Sequence, residues 1–260
     1  MPMQETASQN FYAGTSGLVL PVPNKQFYPE EFKNKSRLTY YASMFNSIEI
    51  NSSFYKIPLA STVRNWATQV PDNFRFTFKL WRDITHQKGL IFNPDDVLRF
   101  MDVINQIGPK KGCLLVQFPP SLKAIMQPRL EVLLQTLAEG DPRKEWNMAL
   151  EFRHDSWYTD ATYELLDHFG AGIVLHDKPG SAPEMPDEWT RFRYLRFHGP
   201  KGDYRGQYED DFLYEFAERI REWTQEDLTV YAYFNNTMGE AMKNLNLLNA
   251  AVSSGEEDPV

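Results

Sequence analysis

The sequence predicts a single TIM-like (β/α)8 barrel with one irregular, Pro-rich connection between strands six and seven. Three observations predict it. The chain has 260 residues, a length at which α/β barrels commonly form one domain. Eight short strand-like runs alternate with helix-like runs from end to end. The longest irregular stretches all follow strands, which in a barrel gathers them at the C-terminal mouth. A doubly wound open sheet is the alternative, and eight strands speak against it.

The elements follow in order. Phe11-Tyr12-Ala13 forms a short first strand that ends in Gly14-Thr15-Ser16-Gly17. Leu38, Tyr41, Ala42 and Phe45 share one helical face. Ser47 to Asn51 reads as the second strand and Thr62 to Ala67 as a short helix. Phe74 to Lys79 alternates and reads as the third strand. Asn93-Pro94-Asp95-Asp96 starts a helix, with Asn as N-cap, Pro in the first turn and acids near the positive end of the helix dipole. Val97, Leu98, Met101, Ile104 and Ile107 give its buried stripe. Leu114 to Gln117 is the fourth strand, stopped by Pro119-Pro120. Leu130, Leu133, Leu134 and Leu137 mark the next helix. Met148 to Glu151 is the fifth strand, followed by a helix over Tyr163, Leu166 and Phe169. Ala171 to His176 is a continuous apolar strand, as expected when both faces are covered.

The connection from Asp177 to Trp189 holds Pro179, Pro183 and Pro186, which argues against a long helix there. Phe192 to Phe197 is the seventh strand. Phe212, Phe216, Ile220 and Trp223 lie at helical spacing. Thr229 to Phe234 is the eighth strand. Thr237 and Glu240 form a capping-box pattern ahead of a helix carrying Ala241, Leu245 and Leu248. The barrel is therefore assigned to residues 11–250. Residues 1–10 and the acidic tail 251–260 are expected to be flexible.

Composition bounds the function classes. The chain is 42% hydrophobic and 24% charged, ordinary for a soluble globular protein. No apolar run approaches the ~20 residues of a membrane helix. The polar N-terminus has no signal-peptide core. The lone Cys113 cannot pair internally, so a reducing cytoplasm is the expected location. A net charge of −8 disfavours non-specific nucleic-acid binding.

Chemistry-bearing residues cluster at strand ends. Strand two carries Glu49 and Asn51, strand three Lys79, strand four Gln117. Strand five ends in Glu151 with Arg153 and His154 beyond it. Strand six ends in His176 and Asp177, strand seven carries Arg196 and His198, and strand eight ends in Asn235-Asn236. Alternation puts Glu49 with Asn51, and Glu151 with Arg153, on one face. Facing inward, they would crowd carboxylates and cations into the mouth, a costly arrangement that favours a functional site over simple ion pairing. Glu49, Glu151, His198 and Lys79 are the candidate catalytic groups, with Glu49 and Glu151 as an acid–base pair of split pKa. Asn51, Tyr55, Gln117, Arg153, Trp157, Asp177, Arg196, Asn235 and Asn236 are the candidate substrate-binding groups. Phe54, Tyr204 and Tyr208 are further loop aromatics able to stack on a sugar or base. Cys113 reads as inert core. No metal-binding motif is present. A divalent ion among Glu49, Glu151, His176, Asp177 and His198 is a variant reading, and the cofactor is otherwise open. Glu151→Gln is expected to spare folding and to remove ligand binding or turnover.

Several motifs in fixed order resemble the YecE-like family, a domain family of unknown function. They are Gly14-Thr15-Ser16-Gly17, Phe27-Tyr28-Pro29, Glu49-Ile50-Asn51-Ser52-Ser53-Phe54-Tyr55, Lys79 with Ile84-Thr85-His86, and Gln117-Phe118-Pro119-Pro120-Ser121. Glu151-Phe152-Arg153-His154-Asp155-Ser156-Trp157, Tyr194-Leu195-Arg196-Phe197-His198-Gly199 and Tyr233-Phe234-Asn235-Asn236 complete the set. The resemblance spans about Phe11 to Ala250 and implies a TIM-like barrel; it implies no particular reaction. Asn51 and Asn235, standing where acids would be needed, weaken a three-carboxylate metal site. The residues themselves favour an enzyme using general acid–base chemistry on a small anionic or sugar- or phosphate-containing substrate, as a hydrolase, isomerase or lyase. The alternatives are a nucleic-acid or nucleotide binding module without turnover and a scaffold for a protein partner; no membrane partner is expected.

Overall fold

Eight parallel strands curve into a nearly closed barrel. The structure is a computed structural model and describes residues 10–183 and 189–254. The strands are β1 (Phe11–Thr15), β2 (Ser47–Ile50), β3 (Arg75–Lys79), β4 (Lys111–Gln117), β5 (Asn147–Glu151), β6 (Gly172–His176), β7 (Phe192–Phe197) and β8 (Thr229–Phe234). They pair in the order β1-β8-β7-β6-β5-β4-β3-β2, every ladder parallel. Around them lie α1 (Arg37–Ala42), α2 (Ser52–Tyr55), α3 (Ala60–Ala67), α4 (Arg82–Thr85), α5 (Pro94–Ile104), α6 (Gln127–Gly140), α7 (Asp160–Phe169), α8 (Asp210–Gln225) and α9 (Ala241–Ser254).

Strand alternation divides the core into two layers. Residues such as Phe76, Phe78, Leu114, Val116, Leu150, Leu195 and Phe234 face the helices and form the larger cluster with their apolar stripes. The opposite set, Cys113, Leu115, Ala149, Val174, Phe192, Tyr194, Tyr231 and Tyr233, fills the barrel interior. Cys113 is thus buried packing, as its apolar surroundings in the sequence suggested. Tyr233 spans the interior, its hydroxyl 2.6 Å from Ser47 Oγ and 2.7 Å from Thr77 Oγ1. These layers put a packed floor beneath the strand ends at the mouth.

Closure between β1 and β2 is made differently from the other ladders. The backbone contributes a bridge between Ser16 and Glu49 and the Gly17 N–H donated to Glu49 O at 2.7 Å. Below it, side chains take the place of a strand. Asn46 accepts from Ala13 N at 2.9 Å and donates to Phe11 O at 2.8 Å. The Tyr41 hydroxyl accepts from Thr15 N at 2.8 Å and donates to Ser47 O at 3.0 Å. Gly14 permits the close approach. A Cβ there would lie 2.0 Å from Ser47 O and 2.8 Å from the Tyr41 hydroxyl. Gly14→Ala is therefore expected to lower unfolding free energy by ~2–3 kcal/mol through overpacking. A urea midpoint equal to that of the parent protein would refute the seam as a tight contact.

The Asn93 cap forms as expected, Oδ1 accepting from Asp95 N at 3.1 Å. Three expectations need correction. The chain past residue 250 is not loose at once: α9 runs to Ser254 because Ala251 and Val252 bury against the core. Residues 1–9 and 255–260 lie outside the described residues. The Thr237/Glu240 capping box does not form, because the helix begins at Ala241. Met238 N and Glu240 N instead donate to Tyr204 O and Gly206 O of the loop after β7. Strand β4 begins at Lys111, three residues before the expected Leu114. Between β6 and β7, no helix is found among the described residues; Pro186 lies outside them.

Candidate active site at the barrel mouth

At the C-terminal end of the barrel the interior turns from apolar to charged. Arg196, two residues beyond Tyr194 on the inner face of β7, is buried at the centre. Its Nε and Nη2 grip both oxygens of Glu49 at 2.9 and 2.8 Å. Its Nη1 reaches Glu151 Oε2 at 3.0 Å. Glu49 is further held by Ser16 Oγ at 2.6 Å and the Tyr194 hydroxyl at 2.5 Å. Arg153 pairs with the other oxygen of Glu151.

Burial alone would raise both carboxyl pKa values. The Arg196 guanidinium overcomes it at Glu49, assisted by the Ser16 and Tyr194 hydroxyls, and holds the group below the usual carboxylate range. Arg196 and Arg153 together hold Glu151 well below that range. The two carboxylates are thus both ionised, and the expected split into an acid and a base is not present. Their shared guanidinium is the reason.

His198 stands beside this clamp. Its Nε2 lies 2.9 Å from Arg196 Nη1 and 2.9 Å from Arg153 Nη2. A guanidinium only donates, so Nε2 accepts. The proton therefore sits on Nδ1, which points at Asp177 Oδ1 at 3.2 Å. Burial pushes the imidazole pKa down to about 4, and the ring is neutral. Asp177 also accepts from the His198 backbone N–H at 2.8 Å and from the Tyr208 hydroxyl. Its role in the geometry is to orient His198. His176 is likewise neutral: Nε2 donates to Phe152 O at 3.0 Å, and burial lowers its pKa. Among the described residues, no group of three His, Cys, Asp or Glu side chains is arranged to hold a metal ion.

Above the clamp lies a cavity of about 300 Å³, lined by Asn51, Phe54, Tyr55, Lys79, Gln117, Arg153, Arg196, Tyr204, Asn235, Thr237 and Met238. Lys79 ends β3 and is buried, its Nζ 4.1 Å from the centre of the Phe54 ring. Among the described residues, Nζ makes no hydrogen bond or ion pair. Desolvation, with Arg196 and Arg153 nearby, brings the amine pKa down to about 7 against the opposing pull of Glu151 and Glu49. Tyr204 closes one side with φ +69°, a strained value for a bulky residue. It is fixed there by its N–H to His198 O at 2.7 Å.

Seven of the candidate catalytic and substrate-binding residues thus meet at the cavity, Asn51, Tyr55, Lys79, Gln117, Arg153, Arg196 and Asn235, together with the loop aromatics Phe54 and Tyr204. Glu49, Glu151 and His198 lie beneath it, fully buried. Asp177 stands behind His198. Two residues are elsewhere. Trp157 is core: its ring stacks on Phe152 at 4.6 Å and its indole N–H donates to Leu122 O at 2.9 Å. Asn236 turns away and donates to Gly206 O and Asn244 Oδ1, both at 3.0 Å, so it ties the β7 loop to α9. Sequence reasoning missed Ser16 and Tyr194 as partners of Glu49. Tyr194 had a usable signal, since it shares a strand face with Arg196. Ser16 was visible only as part of the Gly14-Thr15-Ser16-Gly17 motif at the end of the first strand; its partner was not, because the contact crosses the seam.

The comparisons with known proteins agree on one family. The family described as "Protein of unknown function DUF72" matches residues 12–259. The UPF0759 protein YunF of Bacillus subtilis is 27% identical over 242 residues, covering 82% of this chain and 84% of its own length. The UPF0759 protein YecE of Escherichia coli K12 is 31% identical over 160 residues, 59% of this chain and 57% of its own length. A crystal structure of a DUF72 family protein from Thermotoga maritima superposes with a TM-score of 0.73 at 26% identity, covering 95% of this chain and 99% of that one. A family 2 AP endonuclease from Brucella melitensis, at 12% identity and a TM-score of 0.51 over 90% of this chain and 97% of that one, shares the fold alone. With the family match running nearly end to end over the barrel that carries this mouth, the chain belongs to the DUF72 family, whose function is unknown.

Proposed function

We propose that this protein is an enzyme acting at the barrel mouth on a small anionic substrate, with Lys79 as its reactive base. One observation carries the reading: the cavity wall presents Lys79, Arg153 and Arg196, three carboxamides and three hydroxyls, and no carboxylate. The acids of the mouth are beneath the floor and already matched to Arg196. A ligand therefore meets hydrogen-bond donors and positive charge, which suits a phosphate or carboxylate. A recess of about 300 Å³ suits a small molecule better than a nucleic-acid strand. Catalysis asks for a group that gains and loses a proton near neutral pH. Lys79, near 7, meets that requirement; Glu49, Glu151 and His198 do not. On this reading Glu49 and Glu151 fix Arg196, and Arg153, Gln117, Asn51 and Asn235 hold the substrate.

The test is calorimetry with inorganic phosphate, then turnover on a panel of phosphorylated and carboxylated compounds. Binding that weakens as salt rises is expected. Lys79→Met is expected to lower kcat/KM on any substrate found by ~10²–10⁴ with the fold retained. Absence of binding by every small anion tested, or binding indifferent to both Lys79→Met and Arg153→Met, would remove the reading.

A further inference from the structure

We infer that Lys79 forms an imine with the carbonyl carbon of an anionic aldehyde or ketone held in the mouth cavity. The inference rests on the anion-binding reading above and narrows its substrate class. It comes from how differently this lysine is treated from the others. Lys110 is also buried, but its Nζ donates to Val70 O at 2.7 Å and Pro71 O at 2.9 Å. Lys178 donates to Gly202 O at 2.5 Å, and Lys111 pairs with Glu145. Those ammonium groups are satisfied as donors. Lys79 has the same burial as Lys110 but no acceptor within hydrogen-bonding reach among the described residues, only the face of Phe54.

An ammonium left that way gives up its hydration for little return. A neutral amine loses less, and its lone pair is free for the cavity. Burial away from water is the main cause of the neutral form, and Arg196 from β7 and Arg153 beyond β5 add to it; Glu151 and Glu49 pull the other way, but both carboxylates are already engaged by those same guanidiniums. Buried, unpartnered, beside cations and at the wall of a ligand-sized cavity is the environment that makes a lysine nucleophilic.

The step balances without a further reactant. Nζ attacks the carbonyl carbon, forming the C–N bond, and the carbonyl oxygen leaves as water with the two amine protons. The imine nitrogen then takes one proton from solvent. The resulting iminium draws electrons from the neighbouring carbon, so a C–H or C–C bond there becomes the one broken. The anionic end of the substrate reaches Arg153, Gln117 and Asn235, and its carbonyl end lies at Lys79.

The probe is pyridoxal 5′-phosphate, an aldehyde that carries a phosphate, with glycolaldehyde phosphate as a smaller second probe. The 260-residue chain is incubated with each at pH 7 and reduced with sodium cyanoborohydride, whose hydride converts the iminium to a stable secondary amine. The modified lysines are then mapped by peptide mass spectrometry. At pH 7 the neutral fraction of Lys79 is about a thousandfold that of an ordinary lysine. Labelling at Lys79 at least ~10-fold faster than at any surface lysine is expected. Inorganic phosphate is expected to slow it, and Lys79→Arg, folded by near-ultraviolet circular dichroism, to abolish it.

Three outcomes overturn the inference in different ways. Phosphate binding at the mouth with Lys79 unmodified by both probes removes the imine and leaves the anion site standing. Neither binding nor labelling removes both. Labelling of Lys79 that phosphate does not slow, and that an uncharged aldehyde matches, shows a reactive amine without an anionic carbonyl substrate.

Discussion

Arg196→Met is expected to lower the free energy of unfolding by about 3–5 kcal/mol, although the side-chain volume is nearly kept. The cost does not come from the lost pair itself. Taking a guanidinium and two carboxylates out of water is expensive, and their attraction roughly offsets it. Removing one partner leaves the remaining buried charges poorly compensated. Glu49 loses its two charge-assisted contacts from Arg196 and keeps only two hydroxyls, and Glu151 keeps only Arg153. Adding Glu49→Gln to Arg196→Met is expected to return part of the loss, because it removes the orphaned charge. Urea unfolding of the two single variants and the double variant measures that coupling. A cost under ~1 kcal/mol for Arg196→Met would show that water, rather than the guanidinium, supports the carboxylates. The same reasoning reverses the expectation drawn from strand ends alone for Glu151→Gln: it should destabilise the fold, since two guanidiniums then face an amide.

Stability is expected to climb by several kcal/mol from acid to mildly alkaline pH and to peak on the alkaline side of neutral. Glu49, Glu151 and Asp177 have folded values lowered below their unfolded ones. Their contribution is complete above the unfolded carboxylate range and is lost as pH falls through the folded values. Lys79 and His198 are bases with lowered values, so the folded state binds fewer protons than the unfolded chain. Each adds stability as pH rises from its folded to its unfolded value. For His198 that window runs from about 4 to 6.5, and for Lys79 from about 7 to 10.5. The gains are on the order of 3 and 5 kcal/mol. Above pH 10 the trend turns over. Burial raises the pKa values of Tyr194, Tyr231 and Tyr233, so the unfolded chain sheds phenol protons first and is favoured. Urea midpoints across this range give the curve. Lys79→Met should flatten the limb from about 7 to 10.5 and leave the acid limb intact. A parent curve already flat there would mean that Lys79 keeps its ordinary pKa.

Much of this fold was legible in the residues because the barrel repeats one local pattern. The apolar run from Ala171 to His176 and the alternation from Phe74 to Lys79 report their burial without any knowledge of partners. The strand ends were legible for the same reason, since period-2 alternation continues from core positions such as Ala149 to Glu151. The pairing among them was not. Glu49 meets Arg196 across 147 positions of sequence, and only closure of the barrel decides that one guanidinium takes both carboxylates. Trp157 misled because a tryptophan in a polar stretch after a strand resembles a stacking platform. The ring is claimed instead by Phe118 and Phe152, two residues that face outward at the ends of adjacent strands. Asn235 and Asn236 are adjacent and alike in sequence; the backbone turn after β8 sends one to the cavity and the other to α9.

The join between β1 and β2 sets this barrel apart in how it can be altered. In the other ladders the main chain carries most of the hydrogen bonds, with Thr77 Oγ1 accepting from Cys113 N between β3 and β4 as a side-chain exception. Here the hoop is fastened by an asparagine and a tyrosine, whose atoms are written in the gene residue by residue. Tension at this one clasp is therefore heritable and adjustable: single codon changes at 41 or 46 can loosen it without touching the strands. Because β2 also carries Glu49, and so anchors Arg196, the clasp lies in mechanical series with the floor of the mouth. Relatives could differ in mouth rigidity while keeping every strand and every charged residue in place.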